Sequence, residues 1–168
     1  MVALGVVIVL AAILLPTMSK PRGGTRHIRD STQIKNVVTA LAVWGQQSKG
    51  RYPIPSLLDR NNSTIVVQEG QEDRKDNTGN MISILVWNGS ISSELAISPA
   101  EVNSRIKIDD TYQYVLPSRQ GVTCTNGGKD ALWDPGFSGT PDPGEEAGRA
   151  IVNAGIGNQS YAHAPMWL

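Results

Sequence analysis

The sequence predicts an α+β protein: an N-terminal hydrophobic helix and an amphipathic helix packed on a small antiparallel sheet, with long Gly/Pro-rich loops. Three observations predict it. Val2 to Leu15 is an apolar run of fourteen residues without a charge. Residues 26–48 set Ile34, Val37, Val38, Leu41 and Trp44 at close to helical spacing, which makes one apolar stripe. Arg105-Ile106-Lys107-Ile108 and Thr111-Tyr112-Gln113-Tyr114-Val115 alternate like two strands around Asp109-Asp110.

The opening run is short for a membrane. At ~1.5 Å per residue it reaches about 21 Å, against ~30 Å of hydrocarbon. A cleaved secretory signal wants a basic start and a small-residue cut site. No charge precedes the run, and Leu14-Leu15-Pro16 is a poor substrate. A buried core helix would show a polar face, and this one shows none. The favoured reading is a membrane-embedded helix whose start lies upstream of Met1, which explains both the short length and the missing flanking charge.

Elements follow in order. Pro21-Arg22-Gly23-Gly24 disfavours helix, so residues 21–25 read as a hinge. The amphipathic helix over 26–48 stops at Lys49-Gly50. Val43 points off its stripe, as a tolerated exposed valine or a contact with a neighbouring subunit. Arg51 to Asn62 reads as loop around Pro53 and Pro55, and Glu69 to Asn77 as a charged, solvated stretch. Thr78 is the expected N-cap of a helix over Gly79–Trp87, whose apolar face is Met81, Ile82, Leu85 and Val86 and whose end is Asn88-Gly89. After the two strands, nine glycines and five prolines in the 52 residues from Pro117 mean loops. Ser160-Tyr161-Ala162-His163 reads as a last strand, and the apolar ending Met166-Trp167-Leu168 as a cut C-terminus. The expected domains are a membrane-embedded helix (1–20), a hinge (21–25) and a globular domain (26–168).

Charge is balanced overall, with 15 residues of each sign, but unevenly placed. Thr17 to Arg51 holds seven positive residues and the single acid Asp30, a local charge of +6; the chain from Tyr52 onward carries −6. Such a pattern can draw copies of the chain head to tail, or draw lipid or nucleic acid. The favoured role of Lys20 to Arg29 is to mark a membrane boundary, and no nucleic-acid partner is expected.

Chemistry-bearing residues are sparse. One cysteine, Cys124, excludes an intrachain disulfide. A thiolate pair of Cys124 with His27 or His163 is the only nucleophilic arrangement on offer. There is no Gly-x-Ser-x-Gly, and Asn126-Gly127-Gly128-Lys129 lacks the spacing of a phosphate loop. Two histidines without companions argue against a transition-metal site. No enzymatic activity and no organic cofactor are expected.

Leu4-Gly5-Val6-Val7-Ile8-Val9-Leu10-Ala11-Ala12-Ile13-Leu14-Leu15-Pro16 followed by Ser19-Lys20 resembles the N-terminal helix of type IV pilin-like proteins. That family includes the pseudopilins of type II secretion and the prepilin-type proteins of planctomycete-like bacteria. Residues 32–53, ending in Gly50-Arg51-Tyr52-Pro53, resemble the family's second helical half. The resemblance covers about the first third of the chain, and its one departure is the Pro21 to Gly24 interruption.

It implies a structural subunit of a type IV pilus-like filament or a type II secretion pseudopilus, held in the inner membrane before assembly with its body on the periplasmic side. Val6, Val7, Val9, Leu10, Ile13, Leu14 and Pro16 would then pack in the membrane and in the filament core. The implied partners are copies of the chain, other pilin-like subunits, the membrane, and a prepilin peptidase acting upstream of Met1. The family's cleavage site, N-methylated first residue and glutamate all fall upstream too. Some pseudopilins hold a C-terminal loop with Ca²⁺, which makes Asp109, Asp110, Asp130 and Asp134 the calcium candidates; solvated or turn-forming aspartates are the plainer reading. The alternatives are a membrane-anchored exported binding protein that never polymerises and an exported cysteine hydrolase.

Overall fold

A computed structural model of the chain describes residues 22–117, 124–139 and 156–161. Its longest element is α1, Arg22–Gln47, 26 residues and about 39 Å long. α2 is the single turn Pro55–Leu58, and α3 is Thr78–Trp87. Three short 3₁₀ segments, Glu72–Lys75, Ser93–Ala96 and Thr125–Gly128, punctuate the loops.

α1 takes in residues 22–25, which the sequence assigned to a hinge. Glycine weakens a helix by ~1 kcal/mol relative to alanine, which is a cost and not a break. The helix ends as expected. Ser48 N–H bonds Trp44 O at 2.9 Å and Gly50 N–H reaches back to Gly45 O at 2.7 Å. Lys49 (φ 56°) and Gly50 (φ 80°) both turn left-handed, the geometry that glycine makes cheap just past a helix.

The core sits where α1 crosses α3. Val37, Ala40 and Leu41 pack with Met81, Ile82, Leu85 and Val86, closed by Ile91, Ala96 and Phe137. Burial of side chains of this size contributes roughly 1.5–3 kcal/mol each. A second cluster joins Ile65, Ile84 and Trp133, with Trp44, Val67 and Trp87 at its edge. α3 is therefore wrapped on every side, since Gly79 through Val86 are all buried. Its N-cap is Asn77, one residue before the expected Thr78: the Asn77 side chain accepts from Asn80 N–H at 2.8 Å.

The expected antiparallel sheet is absent: the described residues contain no strand. The segments at 105–108 and 111–115 are irregular chain with turns at Arg105 and Thr111 and bends at Tyr114 and Val115, and their one ladder contact among the described residues is an isolated parallel bridge between Ile106 and Gly157. The physical reason lies in where their amide groups go. Thr111 N–H bonds the Asp109 carboxylate at 3.1 Å, and Gln113 N–H bonds Asp134 Oδ2 at 2.8 Å. Side-chain carboxylates have taken the donors that a neighbouring strand needs. Nor does the alternation mark a buried face, because Ile108, Tyr114 and Val115 are all exposed. Of the expected last strand, Ser160 and Tyr161 lie in irregular chain, and residues 162–163 fall outside the described residues.

Candidate functional site

The exposed flank of α1 is where the chain departs from a closed globule. From Val37 onward the helix is anchored by the core, but residues 24–36 touch the body at few points. Ile28 is 70 % exposed and Val38 57 %, and Ile34 and Val43 also face outward. Two residues of the expected stripe, Ile34 and Val38, are thus on the outer face; Ala40 replaces them on the inner one. Basic residues stand among these side chains. Arg26, His27, Arg29 and Lys35 are all exposed. His27, Ile28, Ser31, Thr32 and Lys35 share one side of this helix as a shallow, open surface patch.

One polar clamp ties this flank down. Ser98 Oγ–H donates to Asp30 Oδ1 at 2.6 Å, and Tyr161 O–H donates to the same oxygen at 2.7 Å, with Gln33 Oε1 3.1 Å away. Three distant parts of the chain meet there. The hydrogen bond from Ser98, then that from Tyr161, holds the Asp30 carboxyl below its ordinary 3.8. Burial, and then the hydrogen bond to Asp30, pushes the Tyr161 phenol up. Because the folded Asp30 value is depressed, its contribution is fully present above the ordinary carboxylate range and is lost as pH falls through the lowered value. Accordingly, Asp30→Asn should lower stability most near neutrality and flatten the acid limb, so that its curve converges with that of the unaltered chain at low pH. Urea titrations at a series of pH values read this directly; parallel acid limbs would remove Asp30 from the account.

A fully buried ion pair organises the other end of the body. Lys75 Nζ lies 3.0 Å from Asp59 Oδ2 and also donates to the Asp59 carbonyl, and neither side chain is exposed to solvent. The Asp59 carboxylate accepts in addition from the backbone N–H groups of Ser63, Thr64 (3.2 Å) and Ile65 (3.0 Å). This pairing corrects the reading of Glu69 to Asn77 as a solvated stretch. Four acids and bases in a row, Glu72-Asp73-Arg74-Lys75, contain one member that turns inward, and composition does not mark which.

The calcium candidates lie in different settings. Asp134 is fully buried; its carboxylate accepts from Gln113 N–H and from Gly136 N–H at 2.8 Å, and its carbonyl from Ser83 Oγ–H at 2.8 Å. Tyr112 completes that network by donating to Ser83 O at 2.7 Å, and burial pushes its phenol up. Asp109 is buried and accepts from Thr111 N–H and Oγ1–H. Asp110 is exposed, and exposed Asp130 accepts from Asn126 Nδ2–H at 2.8 Å. Among the described residues, no three His, Cys, Asp or Glu side chains are grouped to hold a metal ion.

Cys124 is half-buried, and burial pushes its thiol up to about 11, whereas a nucleophilic thiol needs a lowered value. His163 and the packing residues Val6, Val7, Val9, Leu10, Ile13, Leu14 and Pro16 lie outside the described residues. Among the residues described, no helix is long and apolar enough to cross a membrane. In comparisons with known proteins, the chain matches no family model, no curated protein and no solved structure.

Proposed function

We propose that the chain is the structural subunit of a pilus-like or pseudopilus-like filament, held in a membrane by its apolar start before assembly. The observation that carries this reading is the exposed flank of α1. Ile28, Ile34, Val38 and Val43 lie on a helix whose other face is already buried in the body, and the fourteen-residue apolar run precedes that helix in the chain. A helix that shows apolar side chains on both faces has more surface to bury than its own domain covers. In a filament, neighbouring helices bury it. The basic flank of one subunit and the acidic body of the next add charge complementarity to that packing.

The test is to shear cells that express the chain and label the released filaments with antibody. Decorated filaments are the expected result. A chain found wholly in the membrane fraction, with filaments undecorated, overturns the reading and favours the membrane-anchored binding protein.

A further inference from the structure

We propose that Asn61 is an N-glycosylation site, the acceptor of an oligosaccharide from a lipid-linked pyrophosphate donor. The inference rests on the membrane-held reading above, with the body exported, and adds a covalent modification to that body. Its first support is the motif. An Asn-x-Ser/Thr triplet without proline in the middle is the acceptor signal for such transfer. The chain has four: Asn61-Asn62-Ser63, Asn62-Ser63-Thr64, Asn88-Gly89-Ser90 and Asn158-Gln159-Ser160. The structure separates them. At three, the side-chain nitrogen that would carry the sugar already donates to a backbone carbonyl: Asn62 to Val67 O at 3.1 Å, Asn88 to Ile84 O at 2.8 Å and Asn158 to Lys107 O at 3.0 Å. Asn158 is buried besides. Thr64, the third residue of the Asn62 triplet, is buried too, and its hydroxyl accepts from Leu132 N–H at 2.9 Å. Asn61 differs. It is exposed in a turn, and its side chain has no hydrogen-bond partner among the described residues.

A glycan is bulky and needs open solvent at its root. The turn at Asn61 offers that above a fixed base, because the Asp59 carboxylate holds the backbone N–H groups of Ser63, Thr64 and Ile65 and is itself paired with Lys75. Leu57, Leu58 and Val66 are exposed on the same stretch of chain, and a solubilising group there offsets their exposure. In the transfer, the Asn61 amide nitrogen bonds to the anomeric carbon of the donor sugar. One amide proton leaves, the bond from that carbon to the phosphate oxygen breaks, and the lipid pyrophosphate departs.

The full chain is purified from its own cells, and its intact mass and its tryptic peptide of residues 61–74 are measured. The expected result is a mass above that of the polypeptide, with the excess on this peptide. Asn61→Gln and Ser63→Ala should each lose the excess completely, because both destroy the Asn61 triplet; Ser63→Ala leaves Asn62 with Thr64 as an intact triplet. Asn62→Gln should keep it. Excess mass that survives Asn61→Gln overturns the assignment of the site. An unmodified peptide in the unaltered chain overturns the proposal, and protease added to spheroplasts then separates the two readings. A body cut from outside leaves the exported reading standing without its glycan; a body protected until the membrane is opened overturns both.

Discussion

Replacing Lys75 by methionine is expected to destabilise the protein by about 3–5 kcal/mol, the usual cost of leaving one member of a buried pair alone. Methionine fills a similar volume, so the loss is electrostatic rather than steric. It strips the Asp59 carboxylate of its counter-ion and the Asp59 carbonyl of a donor, both at sites closed to water. The three backbone amides of Ser63, Thr64 and Ile65 still face that carboxylate, which keeps the loss from being larger. For the same reason the double variant Lys75→Met with Asp59→Leu should not recover wild-type stability: those amides would lose their acceptor. Urea unfolding followed by tryptophan fluorescence gives both values. As a control, Lys107→Met on the exposed surface should change stability by less than ~0.5 kcal/mol. Equal effects at the two lysines would refute the buried pair.

Leu85→Ala is expected to cost about 2–5 kcal/mol by removing a side chain from the crossing of α1 and α3. Leu85 is completely buried, with Val37 and Leu41 of α1 and Phe137 in the same cluster, so little can collapse into the space. For a chain of this size the thermal midpoint should fall by about 2–4 °C for each kcal/mol lost. Val38→Ala, on the outward side of α1, should move it hardly at all. Thermal denaturation of the pair separates the core shared by α1 and α3 from the outward side of α1; a Val38→Ala loss as large as that of Leu85→Ala would contradict the outward placement of Val38.

The two long helices were legible because their inner faces repeat. Val37, Leu41 and Trp44 mark one line on α1, and Met81, Ile82, Leu85 and Val86 mark α3, and all of them pack in the structure. Hydrophobicity did not separate inner from outer on α1, because Ile34 and Val38 are as apolar as Val37. Only the body's shape decides which valine it covers. The sheet was misread for a different reason. Period-two alternation at 105–115 is a statement about side chains, and it is silent on whether a partner strand exists to receive the amides. Asp109 and Asp134 received them instead. Long-range polar pairs were the least legible of all. Asp59 and Lys75 are sixteen positions apart, and Asp30 and Tyr161 are 131 apart; no local pattern links either pair.

In the proposed filament the outer face of α1 is buried by other copies of the chain. Cysteines placed at Ile28 and Val38, in a Cys124→Ser background, are bridged by a short bismaleimide in cells that carry filaments. A ladder of covalent multimers is expected from the double-cysteine chain, lost when either cysteine is reverted. Monomers alone, in preparations where filaments are present and both thiols react with a small maleimide, would contradict it.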